Sequence, residues 1–454
     1  MEYLSLILFI CICAALMLGY SVAFTLAGVS LLFAGVGIVS GSFDAKLLLA
    51  YPDRVFGTIN NGTLIAVPLF ILMGVLLERS KVAEELLENM ARLCGRLPAG
   101  LGLSVVLVGA MLAASTGIVG ATVVTMGLIS LPTMLKRGYS PELACGSICA
   151  TGTLGQIIPP SIALVLLGDI ISSAHQQAQL KLGHFNISPV SVGDLFMGAI
   201  VPGLLLVALY LVYLLLIGKL RPEQAPTTNT EEKIGLAALA HSIAPPLLLI
   251  ALVLGSIISG KATPTEAAGV GAIAALVLAH SRGRLDLKVL KGVLDSTAKV
   301  TAMVFAILLG ASLFSLVFHG FGGQHMMESL FESLPGGRYG ALLVVMLLIF
   351  LLGFILDFIE ITFVVVPLVA PALLMLGFDP LWLGIMIALN LQTSFLTPPF
   401  GFALFYLRGV APESVKTSAI YRGVIPFIGI QLLLLALLTI KPEIATWLPY
   451  SLKN

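Results

Sequence analysis

Charged residues are scarce in this sequence. Asp, Glu, Lys and Arg make up 10% of its 454 residues, whereas 58% are hydrophobic; a soluble domain has about 25% charged residues. This shortage excludes an ordinary soluble protein, and a net charge of +1 gives no reason to expect nucleic-acid binding. The apolar residues form runs of about 20, the length that a helix needs to cross a bilayer. Because the alternation typical of a membrane β-barrel is lacking, we predict an all-α polytopic membrane protein.

Enzyme and metal motifs are also lacking. The sequence has no GxSxG, HExxH or GxGD motif, and HMME at 325–328 lacks the second His. Its five cysteines show no CxxC spacing, and Cys145 with Cys149 is better explained as helix packing than as a ligand pair. His175 and His184 are expected to be solvated rather than to bind a metal. We therefore predict no catalytic residues, no enzyme activity and no cofactor.

Prolines and glycines are plentiful, and some of them recur in order. Five residues reappear after 239 positions: Pro132, Gly138, Pro141, Pro159 and Pro160 are matched by Pro371, Gly377, Pro380, Pro398 and Pro399. Upstream, LAGVSLLFA at 26–34 is similar to AAGVGAIAA at 267–275. An ordered series of this kind indicates a duplicated unit, which is common in secondary transporters.

The basic residues orient the two copies. One predicted side of the membrane holds 17 Lys and Arg and the other holds 7, so the positive-inside rule makes the first side cytoplasmic. Residues 97–137 then begin and end inside, whereas the matching residues 334–378 begin and end outside. We therefore predict inverted repeats with two re-entrant hairpins, ten full spans and both chain termini outside.

The predicted organisation has four parts. They are the first inverted repeat (1–170), an external loop with a linking span and a cytoplasmic linker (171–242), the second inverted repeat (243–410), and a terminal span (411–454). The first repeat includes an amphipathic arm helix at 78–96, which we expect to lie along the membrane surface; an ordinary solvated helix is the alternative. The two repeats also contain predicted broken helices at 142–168 and 381–407.

Each broken helix contains a pair of adjacent prolines, Pro159–Pro160 and Pro398–Pro399. Proline removes a backbone donor, and the carbonyls that it frees would be costly in lipid. The pairs therefore predict unwound segments that face protein or water, where carbonyls and helix ends can bind ions. Hydroxyl and amide side chains surround both breaks, which favours a binding site over two structural kinks.

The hairpin tips differ in chemistry. The first, AASTGIVGAT at 113–122, is rich in glycine and hydroxyl groups, whereas the second contains Asp357 and Glu360. A carboxylate at membrane depth costs about 2.5–3.5 kcal/mol on insertion scales, so its default interpretation is functional. We favour a cation or proton site at Asp357. The alternatives are a charge partner such as Arg408 or a protonated acid.

We predict two cation sites, each built from a hairpin tip and a broken helix. The first comprises Ser115, Thr116, Gly117, Thr151, Thr153 and Gly155. The second comprises Asp357, Gln392, Thr393 and Thr397. The predicted substrate-binding residues are Thr116, Gln156, Ser161, Asn390 and Ser394.

Several of these segments resemble the large membrane subunit of tripartite ATP-independent periplasmic (TRAP) transporters. The resemblance covers nearly the whole chain and is carried by STGIVGATVVTMG…GQIIPPSIALVLLG at 115–168, TPTEAAGVGA at 263–272, GFILDFIEITFVVVPLVAP at 353–371 and LTPPFGFALFYLRGV at 396–410. It implies an elevator-type transporter of the bacterial inner membrane. It also implies Na⁺ as the coupling ion in symport, with no other metal, and a small organic acid, such as a dicarboxylate, as substrate.

The resemblance also implies two protein partners, a small membrane subunit and a periplasmic substrate-binding protein. Because the first span begins near residue 4, we expect the small subunit to be a separate chain. The alternative function is a self-sufficient Na⁺/carboxylate symporter of related two-hairpin architecture. Residues 169–195 form a longer predicted external loop than the family needs, and similar insertions occur in its keto-acid, mannitol and chloroaromatic branch.

Overall fold

The computed structural model describes residues 2–80, 82–185, 189–227 and 236–453. The described residues form α-helices and two 3₁₀-helices, Ala45–Ala50 and Leu154–Gln156, and none of them forms a β-strand. The predicted all-α fold is therefore confirmed. Parts of the predicted external loop (186–188) and of the predicted linker (228–233) lie outside the described residues.

The described residues of the first half form ten α-helices. They are α1 (Glu2–Leu16), α2 (Val22–Val39), α3 (Tyr51–Ile59), α4 (Ala66–Arg79), α5 (Val82–Cys94), α6 (Gly100–Thr116), α7 (Val119–Lys136), α8 (Pro141–Thr153), α9 (Ile162–Lys181) and α10 (Val192–Leu220). The predicted first hairpin corresponds to α6 and α7, and the predicted first broken helix to α8 and α9.

The second half follows the same order. Its helices are α11 (Leu236–Ile258), α12 (Pro264–Ser281), α13 (Leu287–Gly320), α14 (Gly323–Ser333), α15 (Gly337–Leu352), α16 (Phe358–Val364), α17 (Val366–Met375), α18 (Pro380–Leu396), α19 (Phe402–Val410), α20 (Thr417–Ile440) and α21 (Glu443–Lys453). The predicted second hairpin contains α15, α16 and α17, and its descending arm bends by 56° between α16 and α17. The second broken helix corresponds to α18 and α19.

Helices of the two repeats pack crosswise. α2 packs against α13 while its counterpart α12 packs against α4, and α4 also contacts α13. The same exchange joins the hairpins to the broken helices, because α7 packs against α19 and α17 against α9. We call the group of α2, α4, α12 and α13 the scaffold, and the group of hairpins and broken helices the transport domain.

The core of the transport domain lies along α8 and α18. Every residue of α8 from Leu143 to Thr153 is buried, as is every residue of α18 from Leu381 to Leu396. Close packing requires glycine here, since a Cβ on Gly146 would come within 2.0 Å of the Gly423 carbonyl oxygen of α20. The two duplicated helices that precede the proline pairs are thus enclosed by protein rather than by lipid.

Length and composition single out the membrane helices. Of the described helices, five are long and apolar enough to span a bilayer, α2, α7, α10, α13 and α20, and the bent pair α16–α17 is a sixth candidate. Shorter apolar helices accompany them, including α6, α15 and α18. The count of ten full spans stays a prediction.

The predicted external loop at 169–195 is wrong in its first part. α9 continues to Lys181, because SSAHQQAQLK lacks Gly and Pro and contains good helix formers. Ile171, Ala174 and Ala178 are buried on one face of this extension, and the Lys181 ammonium pairs with the Glu328 carboxylate of α14. The supposed loop insertion is therefore largely a longer helix that packs on the protein.

The predicted arm at 78–96 contains α5. Its apolar face, with Leu86, Leu87 and Met90, is buried, and the helix packs against α6 and α11. Glu85 forms an ion pair with Arg282 at the end of α12. The amphipathic pattern therefore reflects packing on the protein, while the position of α5 at the membrane surface stays a prediction.

Candidate transport site

Both broken helices end just before their proline pairs. α8 passes into the 3₁₀-helix Leu154–Gln156 and the chain becomes helical again at Ile162 in α9, whereas α18 ends at Leu396 and α19 begins at Phe402. All four prolines therefore lie in non-helical segments between two helices. The Pro159–Pro160 and Pro398–Pro399 peptide bonds are cis.

The two breaks meet at the centre of the transport domain. The Gln392 amide nitrogen donates a hydrogen bond to the Thr153 hydroxyl over 3.3 Å, and both side chains are fully buried. These residues are 239 positions apart, which is the repeat offset. A residue and its own repeat counterpart are thus in contact, so the pseudo-two-fold axis between the repeats passes between them.

Each hairpin also packs on the broken helix of its own repeat at an equivalent place. In the first repeat, a Cβ on Gly155 would lie 3.3 Å from the Ala113 carbonyl oxygen. In the second, a Cβ on Gly353 would lie 2.1 Å from the Ser394 hydroxyl. Ser394 is the counterpart of Gly155, and Gly353 is the counterpart of Ala114. Each hairpin therefore contacts the broken helix of its own repeat a few residues before its tip, while the two predicted cation sites stay predictions.

A cavity of about 200 Å³ lies where the two hairpin tips meet. We call it the tip cavity. The first tip contributes residues 117–120 and the second contributes residues 357–359, while Gln156 comes from the first break and Tyr406 from α19. The scaffold closes the cavity with Ile71 of α4 and with Val300, Met303 and Val304 of α13. The cavity therefore lies between the transport domain and the scaffold.

Helix N-termini face this cavity. The first residues of α7 (Val119, Gly120) and of α9 (Ile162, Ala163) line it. The α7 N-terminus has no side-chain cap, because its N-cap residue is Ile118. Unpaired N–H groups at a helix N-terminus carry partial positive charge and bind anions. This side of the cavity therefore suits a carboxylate.

Asp357 lines the same cavity at the N-terminus of α16. It closes a capping box: its carboxylate accepts a hydrogen bond from the Phe358 N–H over 2.6 Å, and Glu360 accepts one from the Asp357 N–H over 3.0 Å. Arg408, the suggested charge partner, instead donates to the Val415 carbonyl oxygen. Asp357 is thus half-buried, facing the cavity and held by backbone contacts, and no ion pair with a described residue engages it.

The predicted hydroxyl residues whose side chains the structure describes are buried, apart from the half-buried Thr397, and most donate to backbone carbonyls of the preceding helical turn. The acceptors are the carbonyl oxygens of Ser147 for Thr151, Ala150 for Thr153, Leu389 for Thr393, Leu391 for Ser394 and Thr393 for Thr397. Their hydroxyl oxygens keep lone pairs, but none of them lines the tip cavity. The structure therefore does not bring Gln392, Thr393 and Thr397 into the cavity that Asp357 faces.

The predicted substrate residues divide into two groups. Gln156 lines the tip cavity, and Ser161 caps α9 by accepting a hydrogen bond from the Leu164 N–H over 3.4 Å. Asn390 and Ser394 are buried away from the cavity, and Asn390 donates to the Met346 carbonyl oxygen over 2.8 Å. The side chains of Ser115 and Thr116 lie outside the described part of the structure, although Gly117 beside them lines the cavity and ends α6 with φ of 62°.

Four buried oxygens in the transport domain have no hydrogen-bond partner among the described residues. They are Oε1 of Gln156, Oε1 of Gln392, Oγ1 of Thr362 and Oγ of Ser130. A buried acceptor without a partner costs about 1–3 kcal/mol, and amide and hydroxyl oxygens are ligands that hard cations prefer. Of these residues, Gln156 alone lines the tip cavity, where its oxygen can serve as a ligand of a cation carried as cargo.

One polar residue of the tip cavity was not among the predicted site residues. Tyr406, which was not predicted, lines the tip cavity from α19, and its ring lies against Gly120, where an added Cβ would approach it to 2.9 Å. The sequence signal for it was a tyrosine seven residues after a proline pair in an otherwise apolar segment.

Among the described residues, no group of three or more His, Cys, Asp and Glu could hold a metal ion.

Comparison with known proteins identifies the family of the chain. A family model described as "Tripartite ATP-independent periplasmic transporter, DctM component" matches residues 9–444. The chain is 30% identical to a C4-dicarboxylate TRAP transporter large permease of Vibrio cholerae, over 98% of this chain and 97% of that one. The corresponding permease of Pseudomonas aeruginosa is 31% identical over 89% of this chain and 91% of its own.

The fold has a solved relative. The Alcanivorax borkumensis YdaH transporter, whose structure was described as having an unusual topology, superposes with a TM-score of 0.63 over 90% of each chain at 15% identity. That likeness concerns the fold alone. The family match over nearly the whole chain decides the identity, and it places the protein in the inner membrane as a transporter permease and not an enzyme. This chain belongs to the DctM large-permease component of the tripartite ATP-independent periplasmic transporter family.

Proposed function

We propose that this chain is the permease of a Na⁺-coupled symporter that imports a small organic acid. The observation that carries the proposal is the tip cavity, where two duplicated hairpins meet against the scaffold. One side of it offers the N-terminal turns of α7 and α9, and the other offers the carboxylate of Asp357. An anion and a cation can therefore bind close together, and binding of each lowers the electrostatic cost of the other.

The cation has ligands in both repeats. In the tip cavity, Gln156 of the first repeat brings an unpartnered buried oxygen, and Asp357 of the second brings the negative charge. We propose Na⁺ as the ion, because these donors are all oxygens and none of them is a thiolate or an imidazole. Of the two predicted cation sites, only the second contains a residue with a full negative charge.

Transport is proposed to follow an elevator mechanism. The transport domain is internally bonded across its axis by Thr153 and Gln392, whereas the tip cavity lies on its boundary with the scaffold. A domain held together in this way can slide as a rigid body along α4 and α13 and carry the cavity with it. Alternating access then needs no rearrangement of the binding residues themselves.

Two partners belong to this proposal. Members of this family work with a substrate-binding protein and a small permease, and we propose that the small permease is a separate chain here. The first solute to test is succinate, because both relatives described above are named for C4-dicarboxylates.

The test is uptake of radiolabelled succinate into proteoliposomes that contain this chain, its small subunit and saturating binding protein. We expect uptake to require an inward Na⁺ gradient and to fall to background when either partner is left out. Uptake by this chain alone would instead support a self-sufficient Na⁺/carboxylate symporter. A gradient of H⁺ that fully replaces Na⁺ would contradict the proposed coupling ion.

A further inference from the structure

A second and larger cavity lies between the scaffold and the transport domain. Its volume is about 370 Å³, and its walls come from α3, the outer half of α13, α9 and the α16–α17 arm. We call it the outer cavity. By the charge rule it lies towards the external side, since Arg54 and Lys181 belong to the side with fewer basic residues.

The outer cavity contains one arginine, Arg54. Its guanidinium is half-buried, and among the described residues it takes part in no ion pair and no side-chain hydrogen bond. A partly desolvated cation without a partner is unfavourable, and a guanidinium fork matches a carboxylate through two parallel hydrogen bonds. The position of α3 is fixed, because the Tyr51 hydroxyl donates to the Leu309 carbonyl oxygen of α13 over 3.2 Å.

Besides apolar residues, the rest of the lining contains several polar groups and one negative charge. Thr58, Ser173, Ser312 and Ser315 add hydroxyl groups. Asp169 also lines the cavity, and its carboxylate accepts a hydrogen bond from the Asn61 amide over 3.0 Å. The Asp169 carboxylate forms neither an ion pair within 4.0 Å nor a hydrogen bond with the Arg54 guanidinium. The Arg54 guanidinium is therefore available to bind an anion other than Asp169.

The outer cavity and the tip cavity share one scaffold helix. α13 lines the tip cavity at Met303 and the outer cavity at Ser312. Nine residues of α-helix correspond to a rise of about 13 Å. An outward displacement of the transport domain by that distance would bring the tip cavity opposite the wall that carries Arg54.

From these observations we infer that Arg54 is the residue that binds the carboxylate of the substrate on the external side. The inference deepens the proposed function and rests on it, because it assigns an external anion site to the same transport route. Arg54 holds the acid against the scaffold wall, and the helix N-termini at the tip cavity take it when the transport domain is displaced outward.

The first experiment measures anion binding without transport. Ser312→Cys is introduced into a chain whose Cys11 and Cys13 are replaced by alanine, and intact cells are treated with a membrane-impermeant maleimide. We expect labelling from outside, slowed about tenfold by millimolar succinate. The slowing should disappear in Arg54→Gln, persist in part in Arg54→Lys, and be unchanged in Lys46→Gln, which removes an exposed basic group from the same segment.

Every other labelling result overturns the inference. If the Ser312→Cys variant is not labelled, the outer cavity is closed to the outside, and equal rates with and without succinate show that no acid binds there. Slowing that survives Arg54→Gln shows that another residue holds the acid. The Arg54→Lys variant is the control for folding. Its expression at normal levels would show that replacing Arg54 does not by itself prevent folding.

Uptake measurements separate this inference from the proposed function. We expect Arg54→Gln to reduce succinate uptake about tenfold in proteoliposomes with both partners, and Lys46→Gln to leave it unchanged. If no variant transports succinate but protection of the thiol introduced by Ser312→Cys depends on Arg54, the import proposal fails and the anion site stands. If extra binding protein restores uptake in Arg54→Gln while protection persists, Arg54 contacts that protein and the inference is wrong.

Discussion

The two hairpin tips are built from one duplicated unit, yet they end their helices differently. In the first, Gly117 follows the end of α6, and Ile118 is the N-cap residue of α7, whose start has no side-chain cap. In the second, the counterpart of Ile118 is Asp357, whose capping box with Glu360 satisfies the start of α16. One tip leaves its N–H groups available to an anion, and the other brings its own negative charge. Under the proposed function, this difference at one position of the repeat assigns the substrate to the first tip and the ion to the second.

The largest effect is expected from removing the charge of the second tip. Asp357→Asn keeps a residue that caps helices well, so the start of α16 and the amount of folded protein should be preserved. We expect succinate uptake to fall more than about tenfold and the Na⁺ concentration for half-maximal uptake to rise. Asp286→Asn is the matched control, since Asp286 caps α13 at an exposed position through the Val289 N–H.

One result would contradict the assignment of Asp357 to the cation site. Unchanged uptake and unchanged Na⁺ dependence in Asp357→Asn would make Asp357 a structural cap only, and the tips would then be equal in function.

The next effect should come from giving the first tip the chemistry of the second. Ile118→Asp places a carboxylate where we propose that the acid binds, whereas Ile118→Asn adds the same cap without the charge. We expect the succinate concentration for half-maximal uptake to rise about tenfold in Ile118→Asp, through like-charge repulsion, and by much less in Ile118→Asn. Similar values for the two variants would mean that α7 does not face the acid.

The smallest effect concerns the packing of the first tip. Gly120→Ala forces a Cβ against the Tyr406 ring, and overpacking of this kind costs about 1–3 kcal/mol. We expect a lower melting temperature and uptake reduced by several-fold. Gly28→Ala, at a helical glycine with open space around it, should change neither. Adding Tyr406→Ala to Gly120→Ala should restore the melting temperature; if it does not, the contact with Tyr406 is not the cause.

Much of the fold could be predicted from the sequence, because backbone chemistry dictated it. Pro159–Pro160 and Pro398–Pro399 each remove two backbone donors and recur at the repeat offset, so the two breaks could be predicted without coordinates. A proline pair alone is not sufficient, since Pro245–Pro246 lies inside α11. The repeat offset of 239 likewise followed from the order of prolines. The end of α9 was predicted wrongly. The polar residues after 168 suggest a loop, and the sequence alone does not show that the apolar residues among them are spaced to pack on α17.

The site was predictable only in part. Hydroxyl residues such as Thr393 and Ser394 have the right chemistry, but inside a helix their hydroxyls bond to the preceding turn, and sequence does not show which way they face. Tyr406 and Arg54 escaped notice because each belongs to a short helix whose neighbours come from distant parts of the chain. Cavities between two domains depend on such long-range contacts, which local patterns do not encode.

The hydrogen bond between Thr153 and Gln392 has a consequence for the origin of the fold. A homodimer must place identical residues on both sides of its two-fold axis, so an ancestor assembled from two equal chains would have faced threonine with threonine or glutamine with glutamine at this point. The present pair, a hydroxyl and an amide, is available only to a chain in which the two copies have been joined and can mutate separately. Fusion of the two copies therefore allowed different residues on the two sides of the axis. Two identical subunits could not make this contact between a residue and its own counterpart.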